Sequence, residues 1–295
     1  MTGATGFIGS YLVPELLRMG HQVVGLCRSE ESAEKLTRAR AEAFSGDVND
    51  LDRLRAGARG ADAVIHAAFN HDFARLKQHS EEDRKVIEAL GEVLVGSERP
   101  LVVTSGTGLV ERSTGDGPVV ETDAYASSGK FARAATEEAA DAMSARGVRV
   151  MVMRLPQVHD TRHQGRIGQH IRLAREKGRV AYIGDGGNRL PAVHVSDAVR
   201  LFRLALEQGK AGARYHAVGE EGVPMRDIAE VIGAGLNLPV ESIPLGEAAD
   251  YFGALAGLAA LDLAASSTLT RQALGWTSTG PDLLTDLRHM KWTAI

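Results

Sequence analysis

The chain has 295 residues and a mass of 31.4 kDa, enough for one large α/β domain or a domain with a smaller lobe, with a core that needs no staples. A net charge of −4 and a pI near 6.2 exclude a protein whose main work is wrapping nucleic acid. The single cysteine, Cys27, cannot form an internal disulfide and fits a reducing cytosol. No run of about 18 apolar residues is present, and no basic segment precedes an apolar one, so neither a membrane helix nor a signal peptide is predicted.

The first nine residues carry the strongest signal. Gly3, Gly6 and Gly9 have the spacing GxxGxxG and open a helix expected from Gly9 to Met19. A dinucleotide pyrophosphate needs a tight turn, close backbone approach and close packing of helix on strand, each a task for a residue without a side chain. The helix N-terminus then offers free N–H groups and a positive dipole end. Gly3, Thr5, Gly6, Phe7, Ile8 and Gly9 are therefore candidate cofactor residues. Pro14 lies inside this helix, a position tolerated near the start and poor further in. A dinucleotide fold also needs a strand ahead of the loop, and Met1 and Thr2 alone precede Gly3. A short apolar segment omitted ahead of Met1 is the expectation; the alternative is a central slot filled some other way.

Further along, Gln22–Cys27, Ala43–Gly46, Ala61–His66, Pro100–Thr104 and Val148–Arg154 read as strands. Most are apolar on both faces, the mark of a parallel sheet covered by helices. Helix formers fill the stretches between, as in Glu30–Arg40 and Phe131–Arg146. Strand–helix–strand repetition predicts a doubly wound sheet. Turn residues dominate Gly106–Thr122 and Gly184–Arg189. The last third holds expected helices at Met225–Gly235 and Pro281–Met290 with few strands, which reads as a smaller α-rich lobe.

The end of the second strand bears on the choice of dinucleotide. A carboxylate there would hold a ribose 2′-OH and repel a 2′-phosphate. Gly25–Leu26–Cys27–Arg28–Ser29 has none, and Arg28 can fork onto a phosphate with Ser29 beside it. NADP is therefore expected, with NAD as the alternative. Asp47 and Val48 are placed to meet the adenine, and the small Ala67 and Ala68 to pass the pyrophosphate.

Together with Val102–Ser105, Arg154–Pro156 and Gly184–Gly186 leading to Val193–Asp197, these segments resemble the extended short-chain dehydrogenase/reductase superfamily, the NAD(P)-dependent epimerase/dehydratase group. The resemblance spans nearly the whole chain and fits an atypical subgroup best. It implies a Rossmann-type doubly wound parallel sheet with a smaller, mainly α C-terminal substrate lobe. The implied division is 1–157 plus about 192–219 for the dinucleotide, and 158–191 plus 220–295 for the substrate. Leu155 and Pro156 join the cofactor residues on the same ground.

The family's catalytic motif is YxxxK, in which Tyr protonates the substrate and Lys lowers its pKa and holds the ribose; a Glu usually follows four residues later. Four residues on a helix leave two side chains about 40° apart and five about 140°. Tyr125 and Lys130 are five apart and do not share a helical face. The register Gly129, Arg133 and Glu137 keeps the spacing and is preferred, putting Arg133 in the Lys place. Tyr125 would re-enter the site if the helix began near Ser127 or Ser128. Ser105 and Thr107 flank the family's Ser/Thr position. His71, with Asp72 nearby, is a candidate replacement acid. His159 and His163, flanking Asp160 and Arg162, form a weaker cluster, and the histidine spacing predicts no metal site.

The expected activity is an NADP-dependent oxidoreductase working on the carbonyl or alcohol of a small organic molecule in the cytoplasm. The alternatives are a catalytically degenerate NADP(H)-binding or redox-sensing protein and, behind it, a nucleotide-sugar epimerase or dehydratase. The expected partners are a small-molecule substrate and, as one option, a second copy of the chain, with neither nucleic acid nor membrane.

Overall fold

The helix after the glycine loop and the apolar run behind it become α1 (Phe7–Arg18) and β1 (Val24–Cys27) in the computed structural model, which describes residues 1–70, 72, 75–112 and 117–292. There follow α2 (Glu30–Arg38), β2 (Glu42–Ser45), α3 (Leu51–Arg59), β3 (Val64–His66), α4 (Leu76–Glu92) and β4 (Pro100–Gly106). Next come α5 (Ala135–Ala145), β5 (Arg149–Leu155), β6 (Gln157–His159), α6 (Ile167–Lys177), β7 (Val180–Ile183), β8 (Arg189–His194), α7 (Val195–Gln208) and β9 (Arg214–His216). The chain ends with β10 (Glu220–Pro224), α8 (Met225–Leu236), β11 (Val240–Ile243), α9 (Ala248–Phe252), α10 (Ala256–Ala259), α11 (Thr268–Leu274) and α12 (Leu283–Arg288).

The main sheet is parallel. One ladder pairs β1 with β2, and another runs β3-β4-β5-β9. Met1 and Thr2 fill the slot between them. Leu26 N–H donates to the Met1 carbonyl at 2.9 Å, Thr2 N–H donates to the Ile65 carbonyl at 3.0 Å, and Thr2 pairs with His66 as a parallel bridge. Two residues thus join the ladders in the order β2-β1-slot-β3-β4-β5-β9.

Helices cover both faces because both faces are apolar. Leu12, Val13 and Leu16 of α1 pack with Leu201, Phe202 and Ala205 of α7 on one side. Leu54 of α3, Ile87 and Leu90 of α4 and Met143 of α5 pack on the other. Each of the larger of these buried side chains, the Leu, Val, Ile, Phe and Met, is worth roughly 1.5–3 kcal/mol relative to exposure. Arg203 ties α7 to Glu15 of α1 at 2.9 Å.

Outside the main sheet the chain holds more strand than its sequence suggests. β8 pairs with β6 in parallel and with β10 antiparallel, and β7 pairs with β11. These strands are short, and β10 and β11 interleave Glu220, Glu221, Glu241 and Ser242 with apolar residues, which hides them from an apolar-run reading. α6, α8 and α12 pack around Leu190, Val223, Ile228 and Leu287. Among the described residues no helix is long and apolar enough to cross a membrane.

Candidate active site

The three glycines of the loop have different tasks. Gly3 has φ +67°, and a Cβ there would sit 2.7 Å from the backbone of Ala67 and Ala68. A Cβ on Gly9 would lie 2.0 Å from the Gly3 carbonyl oxygen, so α1 can pack this closely because Gly9 has none. Gly6 is different. It has φ −75°, and its Cβ would meet the Gly3 carbonyl alone, at 3.4 Å. The space beside Gly6 is open, as a ligand's backbone approach requires. Gly6 caps α1 without a side-chain hydrogen bond, and the first turn, Phe7–Ile8–Gly9–Ser10, is uncharged. The N–H groups and dipole of α1 therefore face that space.

The neighbouring strand ends supply the other candidate cofactor residues. Arg28 and Ser29 follow β1. The Arg28 side chain is 79% exposed and 3.9 Å from Asp47, and Ser29 caps α2 by accepting from Ser32 N–H. Asp47 itself accepts from Asn49 N–H, and Val48 packs against the core. Ala67 and Ala68 follow β3, with Ala68 N–H donating to the Thr2 hydroxyl at 3.3 Å. Thr5, Leu155 and Pro156 are partly buried. The Phe7 ring stacks on His163 at 4.7 Å, and Tyr11 donates to Asp160 at 2.8 Å, so the loop after β6 closes beside the glycine loop.

A buried polar chain runs from Thr2 to Arg133. Thr2 bonds His66 Nδ1 at 2.7 Å, and His66 Nε2 bonds Asp83 of α4 at 2.8 Å. The other Asp83 oxygen accepts from Arg133 at 2.8 Å and from Thr136. Burial alone would raise the Asp83 pKa; Arg133, His66 and Thr136 outweigh it and hold the carboxyl below its ordinary value. Arg133 also donates to the Thr104 carbonyl at 2.8 Å and lies 3.8 Å from the Phe69 ring centre. The guanidinium therefore sits at the C-terminal end of β4, where ligands of open α/β sheets bind. The sequence names Arg133 as a candidate; it does not single out Thr2, His66 or Asp83, which hold it through this chain.

The remaining catalytic candidates are dispersed. The expected helix from Phe131 begins at Ala135, after a 3₁₀ turn at Ala132–Ala134. Tyr125 and Gly129 both precede it: Tyr125 pairs with Val110 as an antiparallel bridge, and Gly129 lies in a turn, because Lys130 and Phe131 N–H close onto the Ser127 carbonyl and Phe131 is extended. Neither Ser127 nor Ser128 caps α5, the condition on which Tyr125 would have re-entered the site; Ala134 holds the cap position, and Ser128 N–H donates to Glu138. Tyr125 donates to Asp141 at 2.7 Å, while Lys130 pairs with Glu111 at 2.7 Å on an exposed surface. Burial and Asp141 raise the Tyr125 pKa far above its ordinary value. Ser105 is buried and donates to Glu137 at 2.8 Å. Thr107 is buried in the turn after β4. His71 lies outside the described residues. Asp72 does not cap α4: Arg75 holds that position and donates to Asp72 at 3.1 Å.

Glu137 anchors a second buried network. Arg154 forks onto it through Nε and Nη2, both at 2.8 Å, and Arg214 adds a bond at 2.8 Å. The Glu137 and Arg154 side chains are both 0% exposed. Burial would raise the Glu137 pKa, but Arg154, Arg214 and Ser105 reverse the sign and lower it. His159, also fully buried, bonds Asp286 of α12 at 2.7 Å, tying the end of β6 to that helix. Among the described residues no cluster of three His, Cys, Asp or Glu is placed to hold a metal ion.

Comparison with known proteins agrees with this geometry. The model of the family described as "NAD dependent epimerase/dehydratase family" matches residues 1–218. An uncharacterized protein of Schizosaccharomyces pombe is 44% identical over 288 residues, 97% of each chain. A sterol-4-alpha-carboxylate 3-dehydrogenase of Dictyostelium discoideum is 27% identical over 246 residues, 77% of this chain and 72% of that one. The fold is also that of a dTDP-glucose 4,6-dehydratase of Streptomyces venezuelae solved with NAD, at TM-score 0.77 and 21% identity over 99% of this chain and 95% of that one. The chain belongs to the NAD dependent epimerase/dehydratase family, with a Rossmann-type sheet and dehydrogenase relatives.

Proposed function

We propose that the protein is an NADP-dependent oxidoreductase acting on the carbonyl or alcohol of a small organic substrate. One observation carries the reading: an open glycine loop stands beside a β1 terminus with an exposed guanidinium and a hydroxyl where NAD enzymes place a carboxylate. The dehydrogenase relative supports the reaction class. The division of the chain into a dinucleotide part (1–157 with about 192–219) and a substrate part (158–191 with 220–295) belongs to the same proposal.

When bound, the nicotinamide supplies hydride chemistry. The chain's residues do the rest. The α1 N-terminus and Gly6 hold the pyrophosphate, and Arg28 with Ser29 hold a 2′-phosphate. Arg133, oriented by Asp83 and the Thr104 carbonyl, holds the ribose side. A guanidinium stays charged and cannot relay a proton, so Arg133 orients and stabilises charge without replacing an acid. Thr104 and Ser105 spend their hydroxyls inward on the His66 carbonyl and on Glu137, which leaves Thr107 as the hydroxyl for the substrate. His71 stays a proton donor candidate on sequence grounds.

Arg28→Ala is the direct test of cofactor choice. It should weaken NADPH binding roughly tenfold, the lower end for a charged hydrogen bond because the site is solvent-exposed, and leave NADH binding within twofold. Fluorescence titration with both cofactors reads this out, and equal losses would overturn the NADP reading. Tyr125→Phe should leave NADPH-dependent reduction of a carbonyl panel within a few-fold of wild type, since its hydroxyl is committed to Asp141. Loss of a true general acid costs about 10²–10⁴-fold, and a drop of that size would restore Tyr125 to the reaction.

A second reading has its own observation. Tyr125 and Lys130 each pair with a separate carboxylate, Asp141 and Glu111. A catalytically degenerate NADP(H)-binding protein would look the same. NADPH binding without consumption across the carbonyl panel would favour it.

A further inference from the structure

The hydrogen bonds of the buried polar chain run in one direction. Thr2, His66 and Asp83 are each no more than 5% exposed. Ala68 N–H donates to the Thr2 hydroxyl oxygen, so the hydroxyl hydrogen needs an acceptor of its own. Among the described residues that acceptor is His66 Nδ1, at 2.7 Å, and a buried hydroxyl left without one is costly. Nδ1 is therefore bare, and the imidazole hydrogen sits on Nε2 and donates to Asp83 Oδ1 at 2.8 Å. Arg133 and Thr136 donate to Oδ2 from the other side. Every bond points toward Asp83, and a run of this kind polarises and strengthens its members.

A second route closes a circuit. The Thr104 hydroxyl donates to the His66 carbonyl at 2.9 Å, and the Thr104 carbonyl accepts from Arg133 at 2.8 Å. His66 therefore holds Arg133 from its side chain through Asp83 and from its backbone through Thr104. At the other end, a Cβ on Gly3 would lie 2.7 Å from the backbone of Ala67 and Ala68. The glycine loop is packed too closely on that peptide to shift without displacing the N–H that bonds Thr2. Thr104 belongs to β4, two strand steps or about 10 Å from the slot that holds Thr2.

We infer that Thr2 and His66 are positioning residues that couple the glycine loop to Arg133, so that a dinucleotide seated on the loop meets a guanidinium already aimed at its ribose. The inference rests on the dinucleotide seating proposed above. Both side chains are buried and act through Arg133.

NADPH titration across a double-mutant cycle tests this, and NADH serves equally should the wild type prefer it. Thr2→Val keeps the side chain's shape and removes the hydroxyl. It should weaken binding about fivefold, and Thr2→Ser should restore the affinity to within about twofold of wild type. Arg133→Met should weaken binding at least about tenfold. Thr2→Val added to Arg133→Met should then cost less than about a further twofold, because the path that it breaks no longer ends on a guanidinium. Losses that multiply in the double variant, an unaffected Thr2→Val or Arg133→Met protein, or Thr2→Ser as weak as Thr2→Val would each overturn the inference and leave the glycine-loop reading standing. A wild type that binds neither dinucleotide overturns both. Should Thr2→Val fail to fold, imidazole nitrogen NMR of the wild type decides. Saturating dinucleotide should displace both His66 nitrogen resonances, and unmoved resonances overturn the inference.

Discussion

Gly6→Val should give a folded protein that no longer binds a dinucleotide. The backbone at Gly6 has φ −75° and ψ 179°, a conformation that valine adopts without strain. The new Cβ would meet the Gly3 carbonyl alone, at an ordinary 3.4 Å. Losing glycine at this cap costs the helix at most about 1 kcal/mol. The side chain instead fills the space that the pyrophosphate must enter. NADPH affinity should fall at least about 100-fold, or roughly 2.7 kcal/mol, with circular dichroism unchanged. Gly9→Ala should fail differently, because its Cβ would collide with the Gly3 carbonyl oxygen at 2.0 Å and disturb the loop itself. Wild-type NADPH affinity in folded Gly6→Val protein would remove the glycine loop from the cofactor site.

The contrast between these glycines is invisible in the spacing GxxGxxG, which treats them alike. What a linear pattern does show is local. Apolar runs mark β1, β3, β4 and β5 to within a few residues, since a strand buried on both faces must be apolar throughout. The buried polar chain is not legible because its members are far apart in sequence: Thr2 lies 64 residues from His66, and His66 lies 17 from Asp83. Asp83 sits in the run Glu81–Glu82–Asp83–Arg84–Lys85, which reads as a solvated face. One signal is available: Asp83 is four residues before Ile87 and seven before Leu90, on the buried stripe of α4. The angular separation of Tyr125 and Lys130 presupposes a helix through both, whereas Tyr125 is an extended bridge residue and Lys130 lies in the turn that follows.

Glu137→Gln should cost about 3–5 kcal/mol of stability, the range for breaking a buried ion pair from one side. The whole fold is worth about 5–15 kcal/mol, so this variant should approach the margin at 37 °C. Glutamine keeps an acceptor for the Ser105 hydroxyl but leaves the Arg154 guanidinium, 0% exposed, without its counter-charge. The cost therefore belongs mainly to the stranded cation rather than to the lost carboxylate. Adding Arg154→Met removes that cation and should recover most of the loss, because replacing a buried pair by apolar side chains of similar volume is often neutral. Acid gives the same answer by another route. Glu137 and Asp83 both have folded pKa values below their unfolded ones, so their contribution is present above about pH 4.3 and is lost as pH falls through the folded values. Urea unfolding of wild type should weaken steeply below about pH 4. Glu137→Gln should show a shallower acid slope from a lower plateau. A cost under about 1 kcal/mol, or an acid slope unchanged in the variant, would mean that solvent reaches the Arg154 guanidinium and that the network holding Ser105 is not a closed one.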